Sequence, residues 1–210
     1  MPVYSDKAIL EAIENGVLGI TPLTPNNVQP ASVDLTLGEN IEILTPGDID
    51  LFSTDTGVLK TRTETHCIRD GYKLNPNSYV VGYSAEYLHF STFINGRIDN
   101  RNSLARLGLD ISAGCYINPG FEGHMPLVIR NFGQSSIILR PGVRICQLVI
   151  FHLTGQSIRN YDNRHDLGDI INQAMQHVAD INLHNEMPKD TSLADFLDER
   201  ITTVAKRGLM

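Results

Sequence analysis

The sequence contains no tryptophan and only three cysteines in 210 residues. Cys67, Cys115 and Cys146 stand far apart, with no Cys-x-x-Cys pair and no histidine at ligand spacing. A zinc site is therefore not expected, and the thiols are expected to be reduced and buried. The seven histidines include no pair at the i, i+4 spacing of one helical face, so no metal ligand set is expected from them either. The paired His-x-Glu and Pro-Cys-x-x-Cys motifs of the zinc-dependent nucleotide deaminases do not occur together. No P-loop, dinucleotide fingerprint, internal repeat or low-complexity tract is present. No apolar run reaches the length of a membrane span and none at the start reads as a leader, so a cytoplasmic protein away from membranes is expected. Positive charge is also scarce: 17 Lys and Arg against 24 Asp and Glu give a net charge of −7, which argues against nonspecific nucleic-acid binding.

What is present is ordinary apolar content, 41% hydrophobic, enough to bury a core. Ser5 and Asp6 are placed to cap a helix running to about Asn15, with Ile9, Leu10 and Ile13 on one face and Gly16 ending it. Pro22, Pro25 and Pro30 then enforce a loop. Residues 33–37 alternate apolar and polar and read as a half-buried strand. Asp34 points away from Val33 and Leu35, either as a buried partner ordering a site loop or onto solvent. Short β-like runs follow at 41–44, 58–61, 79–84, 88–92, 135–139 and 145–153, separated by Gly, Pro, Asn and Asp. That spacing predicts a mainly β sandwich or barrel.

The stretch from Arg97 to Asn131 carries the candidate chemistry. It reads as a strand, a helical turn at 103–107 that Asn102 and Ser103 are placed to cap, an irregular segment, and a strand from His124 onward. Arg101 and Arg106 flank that turn, and two guanidinium groups beside backbone donors suit a polyanion such as a triphosphate. Next, Ile117-Asn118-Pro119-Gly120-Phe121-Glu122-Gly123 forms a turn where backbone can approach a ligand closely. Phe121 either stacks on a sugar or base or fills the core beneath a hairpin.

These pieces resemble the dCTP deaminase family, within the wider group that includes the trimeric dUTPases. The matching motifs are Arg101-x-Ser103-Leu104-Ala105-Arg106-Leu107-Gly108-Leu109, Ile117-x-Pro119-Gly120-Phe121-x-Gly123 and Asn131. Outside the stretch, Gln29-Pro30-Ala31-Ser32-x-Asp34-Leu35-x-Leu37-Gly38, Leu139-Arg140-Pro141-Gly142 and Gln147-Leu148 agree, over roughly residues 5 to 155. The resemblance implies a dUTPase-like jelly-roll or β-barrel core with a short N-terminal helix, assembled as a homotrimer with sites at subunit interfaces. It implies nucleotide-binding roles for Arg101, Asn102, Ser103, Arg106, Asn118, Phe121, Gln147, Tyr161 and Gln173, a pyrimidine deoxynucleoside triphosphate as ligand, and Mg2+ travelling with that triphosphate.

Three positions depart from the family pattern. Val128 stands where the family has its general acid/base Glu, Asn118 where it has the Asp that holds the deoxyribose, and Asn102 where it has the first Ser of Arg-Ser-Ser. Neither Val nor Asn titrates, so the usual proton-transfer pair is missing. Glu122 and His124 are the substitute candidates, because strand alternation puts them on one side with Pro126 and Val128. Three functions follow: a working deaminase-type enzyme, a catalytically silent relative that regulates or assembles, and a dUTPase-like pyrophosphatase using Asp99 or Asp110 to activate water.

The division expected is a β domain over 1–156 and a segment over 157–210 that is first polar and then helical. In the relatives, a Tyr, a Lys and a Gln of this region close over the triphosphate. Tyr161 and Gln173 sit near the matching places, while the Lys is not matched and Asp169 lies close to its position. Ser192 and Asp195 start an amphipathic helix over 192–207, whose stripe of Leu193, Phe196, Leu197, Ile201 and Val204 is expected to pack on its own domain or on a partner protein.

Overall fold

The computed structural model describes residues 2–48, 62–111, 115–158 and 161. Gln173, Asp169, the 58–61 strand and the 192–207 helix lie outside the described residues. The chain opens with helix α1 (Asp6–Glu14), whose N-cap Ser5 accepts the Ala8 amide on its hydroxyl at 3.3 Å. Gly16 follows it at φ +68, a conformation that costs glycine nothing. The helix buries Ile9 and Ala12, while Leu10 is exposed and not on the packed face.

Among the described residues twelve strands follow: β1 (Leu18–Thr21), β2 (Val28–Gln29), β3 (Ser32–Leu44), β4 (Thr63–Cys67), β5 (Tyr72–Leu74), β6 (Ser78–Phe90), β7 (Ile94–Asn100), β8 (Leu109–Asp110), β9 (Tyr116–Ile117), β10 (Glu122–Asn131), β11 (Ile137–Leu139) and β12 (Arg144–His152). A short helix α2 (Asn102–Ala105) joins β7 to β8. Ten strands form one sheet in the order β8-β10-β6-β3-β12-β7-β9, with β1 added to β6 and both β2 and β4 added to β3; β5 and β11 pair separately. The mainly β fold and the short N-terminal helix are as expected.

Two pairs of short runs prove to be single long strands. The runs at 33–37 and 41–44 are both within β3, and those at 79–84 and 88–92 are joined through β6. The joint in β6 contains the charged residue Glu86. Its carboxylate is buried, accepting the Thr36 hydroxyl at 2.7 Å and the Thr36 amide at 2.9 Å. A paired carboxylate is tolerated inside, so the strand runs on.

Strand β3 is the crease of the molecule. Its first half pairs with β12, its second half with β4 and β6, and an irregularity between Leu37 and Ile41 marks the change of partner. Between the two halves lies the apolar core, with Leu35, Leu37, Ile41, Phe90, Ile98 and Leu148 buried. Among the described residues no helix is long and apolar enough to cross a membrane.

Candidate functional site

The site residues are gathered in two groups. The first lies on β3, β12 and the end of β7. Asn102 and Ser103 do not precede α2; they are its first two residues, exposed, and Arg101 is the N-cap with no side-chain cap bond. The helix starts one residue earlier than expected because the Arg101 carbonyl already accepts from Leu104 and Ala105, both at 3.0 Å. Arg101 instead turns its guanidinium back onto the sheet. Its Nη2 lies 3.3 Å from Asp34 Oδ2, and its Nη1 donates to the Arg144 carbonyl at 3.1 Å.

Asp34 is buried rather than solvent-facing, at 1% exposure. Register puts it opposite Gln147, and Gln147 opposite Asp99, so the three share a rung on the face away from the core. Arg144 supplies a second guanidinium to the same Asp34 oxygen at 3.4 Å. Arg106 stays exposed at the far end of α2, so the guanidinium sharing Arg101's carboxylate is that of Arg144. The aspartates suggested for water activation are both engaged: Asp99 with Arg97 at 2.8 Å, and Asp110 with the Asn100 amide at 2.7 Å.

The second group lies on the glycine-rich turn, β6 and β10. Gly120 adopts φ +82, and the Phe121 amide closes the turn onto the Asn118 carbonyl at 3.2 Å. Phe121 is in the core at 3% exposure, edge-on to Phe90 and stacked on Tyr161 with ring centres 6.1 Å apart. Of its two readings, the core one is found; the ring is not offered to a base. Tyr161 covers the same turn, its amide nitrogen 3.4 Å from where a Gly120 side chain would begin.

Along β10, Glu122 and His124 are exposed while Pro126 and Val128 are half-buried on the same face, as alternation predicts, with an irregularity between His124 and Pro126. Val128 faces Val81 across the ladder, so no titrating group stands at that position. His124 Nδ1 lies 3.0 Å from the Ser84 carbonyl. A carbonyl only accepts, so Nδ1 is the donor in this contact. Tyr87 packs edge-on to that ring at 5.5 Å, and desolvation, followed by its hydrogen bond to Glu122, raises its phenol above the ordinary value. A pocket of about 580 Å3 opens beside His124, lined also by Gly38, Glu39, Asn40, Tyr83, Ser84 and Ala85.

The thiols split. Cys146 and Cys115 are shielded, but Cys67 is exposed at the end of β4, contrary to the expectation of three buried thiols. Strand alternation there is too irregular in sequence to have given its face. Burial and then the negative charges of Asp110 and Asp99 push the Cys115 thiol up to about 11 from 9.0, and burial raises Cys146 further. At pH 8, iodoacetamide is therefore expected to label Cys67 alone in the folded chain, as counted by intact-mass spectrometry. A Cys115 adduct formed as fast as the Cys67 one would contradict this. The raised pKa also means that the contribution of Cys115 to stability is complete below about pH 9 and is lost as pH climbs through about 11.

Sequence reasoning missed Arg144. The signal available was its place three residues before Gln147 in Arg144-Ile145-Cys146-Gln147, at the start of a strand whose irregularity next to Arg144 turns the side chain toward Asp34.

A family model described as dCTP deaminase-like matches residues 3–153. A dCTP deaminase, dUMP-forming, from Sulfurihydrogenibium is 32% identical over 164 residues, covering 78% of this chain and 91% of that protein. The enzyme of the same name from Aquifex aeolicus is 32% identical over 164 residues, covering 78% of this chain and 88% of its own. Among solved structures, the 2'-deoxycytidine 5'-triphosphate deaminase from Agrobacterium tumefaciens superposes with a TM-score of 0.56 at 21% identity, over 70% of this chain and 47% of that one. This chain thus spans about half the length of that structure, and the likeness is one of fold.

Proposed function

Since this chain belongs to the dCTP deaminase-like family, we propose that it binds a pyrimidine deoxynucleoside triphosphate, with Mg2+ on the phosphates, in sites shared between the copies of a homotrimer, and that it does not deaminate. The observation that carries the second half is Val128. Deamination requires a side chain that takes a proton from water and returns one to the ring or the leaving amine. On the outward face of β10 the position carrying that group in the family holds an isopropyl group packed opposite Val81. Asn118, on the glycine-rich turn, cannot titrate either. Loss of a general acid/base lowers the rate by roughly 100- to 10,000-fold. The separation of the Arg101 group from the Asn118 group within one chain favours sites built from two chains.

Incubating the purified protein with dCTP or dUTP and Mg2+ tests this, with products separated by chromatography and binding followed by calorimetry. Binding without turnover is expected. Formation of dUTP or of a monophosphate at ordinary enzyme rates would overturn the silent reading, and absence of binding would overturn the nucleotide reading.

A second reading rests on His124, which lines a pocket with its Nδ1 held by the Ser84 carbonyl and Tyr87 packed against its ring. In it His124 and Glu122 move the proton. Any turnover detected would then disappear in both His124→Asn and Glu122→Gln.

A further inference from the structure

We infer that Arg144 is the second guanidinium of the phosphate-binding site, and that Asp34 is the residue that positions it together with Arg101. This rests on the triphosphate reading above and adds two residues to it. Arg101 and Arg144 come from different parts of the chain, yet both place an Nη on the same oxygen of one carboxylate, at 3.3 and 3.4 Å. The Arg101 guanidinium is held at a second point by the Arg144 carbonyl, so its plane is fixed rather than swivelling. Asp34 is itself fixed, being 1% exposed on a paired strand.

The arrangement leaves unused donors. A guanidinium carries five N–H groups in a rigid fork, and the contacts described use two of those on Arg101 and one on Arg144. Two guanidiniums share one oxygen of one carboxylate, so neither is saturated by it. The Arg144 side chain is 45% exposed and that of Arg101 25%, so the surplus donors reach the surface beside Gln147. A preorganised pair of forks with unused donors suits phosphate oxygens, which accept bidentate bonds from arginine. Asp34 lowers the net charge of this place, so its benefit is geometric: it holds two mutually repelling guanidiniums side by side before the ligand arrives. Its other oxygen, Oδ1, is buried with no hydrogen-bond partner among the described residues, an unmet cost consistent with a residue kept for position.

The test is calorimetric titration of the full chain with inorganic tripolyphosphate, dCTP and deoxycytidine, each with Mg2+, for the native protein, Arg144→Gln, Arg144→Lys and Asp34→Asn. Arg144→Gln is expected to weaken tripolyphosphate and dCTP about tenfold or more, with Arg144→Lys recovering only part of the loss, and to leave deoxycytidine unaffected. Asp34→Asn is expected to weaken both phosphates too, although it removes a negative charge. A purely electrostatic role for Asp34 predicts the opposite sign. Unchanged phosphate affinity in Arg144→Gln, or equal or tighter binding in a folded Asp34→Asn, overturns the inference. Should Asp34→Asn fail to fold, Arg144→Gln, a change at a half-exposed side chain, decides alone. Native protein that binds tripolyphosphate but no dCTP overturns the nucleotide reading and leaves the arginine pair standing; native protein that binds neither overturns both.

Discussion

Replacing Gly108 by alanine is expected to destabilise the protein by about 4 kcal/mol, the sum of left-handed backbone strain and a forced backbone displacement. Gly108 adopts φ +87, where a Cβ is strained in any surroundings. Here the surroundings are also closed: the new carbon would lie 2.5 Å from Gly133 Cα and 2.6 Å from Gly133 N. Both neighbours are main chain, so no rotamer change relieves the clash. The contact is tied down on each side, since the Phe132 amide donates to the Gly108 carbonyl at 2.9 Å and the Gly133 amide to Asn131 Oδ1 at 3.0 Å. Asn131 is fully buried and also donates to the Leu74 and Ser135 carbonyls, which holds this corner in place. For a chain of this size the melting midpoint should fall by roughly 8–16 °C. A midpoint within about 3 °C of the native one would show that the corner yields more easily than the geometry implies. The corner also sets where α2 stands relative to β10, so Arg106 and Ser103 should shift with it.

Arg101→Met should lower stability by about 2–3 kcal/mol, somewhat below the ~3–5 kcal/mol of a broken buried pair because part of the arginine is exposed and Arg144 remains. The change leaves Asp34 with one oxygen unpartnered and the other facing a single, half-exposed guanidinium. The diagnostic measurement is a double-mutant cycle in urea. Arg101→Met combined with Asp34→Asn should recover a large share of the loss, because the cost lies in the stranded carboxylate rather than in missing arginine contacts. Additive losses would mean that Arg101 contributes by packing its stem, and that the ion pair is incidental.

How far the sequence could be read depended on the range of the interaction. The Ser5 cap, the Gly16 stop and the alternation of β10 from Glu122 to Val128 rest on neighbours a few residues apart, and each is found as read. The continuity of β6 was not legible, because the partner that lets the Glu86 carboxylate be buried within the strand is Thr36, fifty residues earlier. Asp34 was left open between solvent and a buried partnership for the same reason: its arginines come from distant strands and meet it only through register. Phe121 sits in a turn, where alternation lapses, so nothing local distinguished an inward ring from an outward one. The departures assigned to Val128, Asn118 and Asn102 rest on the resemblance to the family pattern and on no interaction within the chain.

The sharing of β3 between two halves also bears on synthesis. Its early partners β2, β4 and β6 are in place well before the last one, since β12 spans Arg144–His152 and pairs with both β3 and β7. A nascent chain that stops short of Arg144 therefore carries two open strand edges, one on each side of the gap that β12 fills. Such edges invite pairing with other chains, and long-range closure of this kind is slow. The same gap would leave Asp34 without Arg144 until the final strand docks, so the charge on the outer face comes to its folded balance only as the sheet closes.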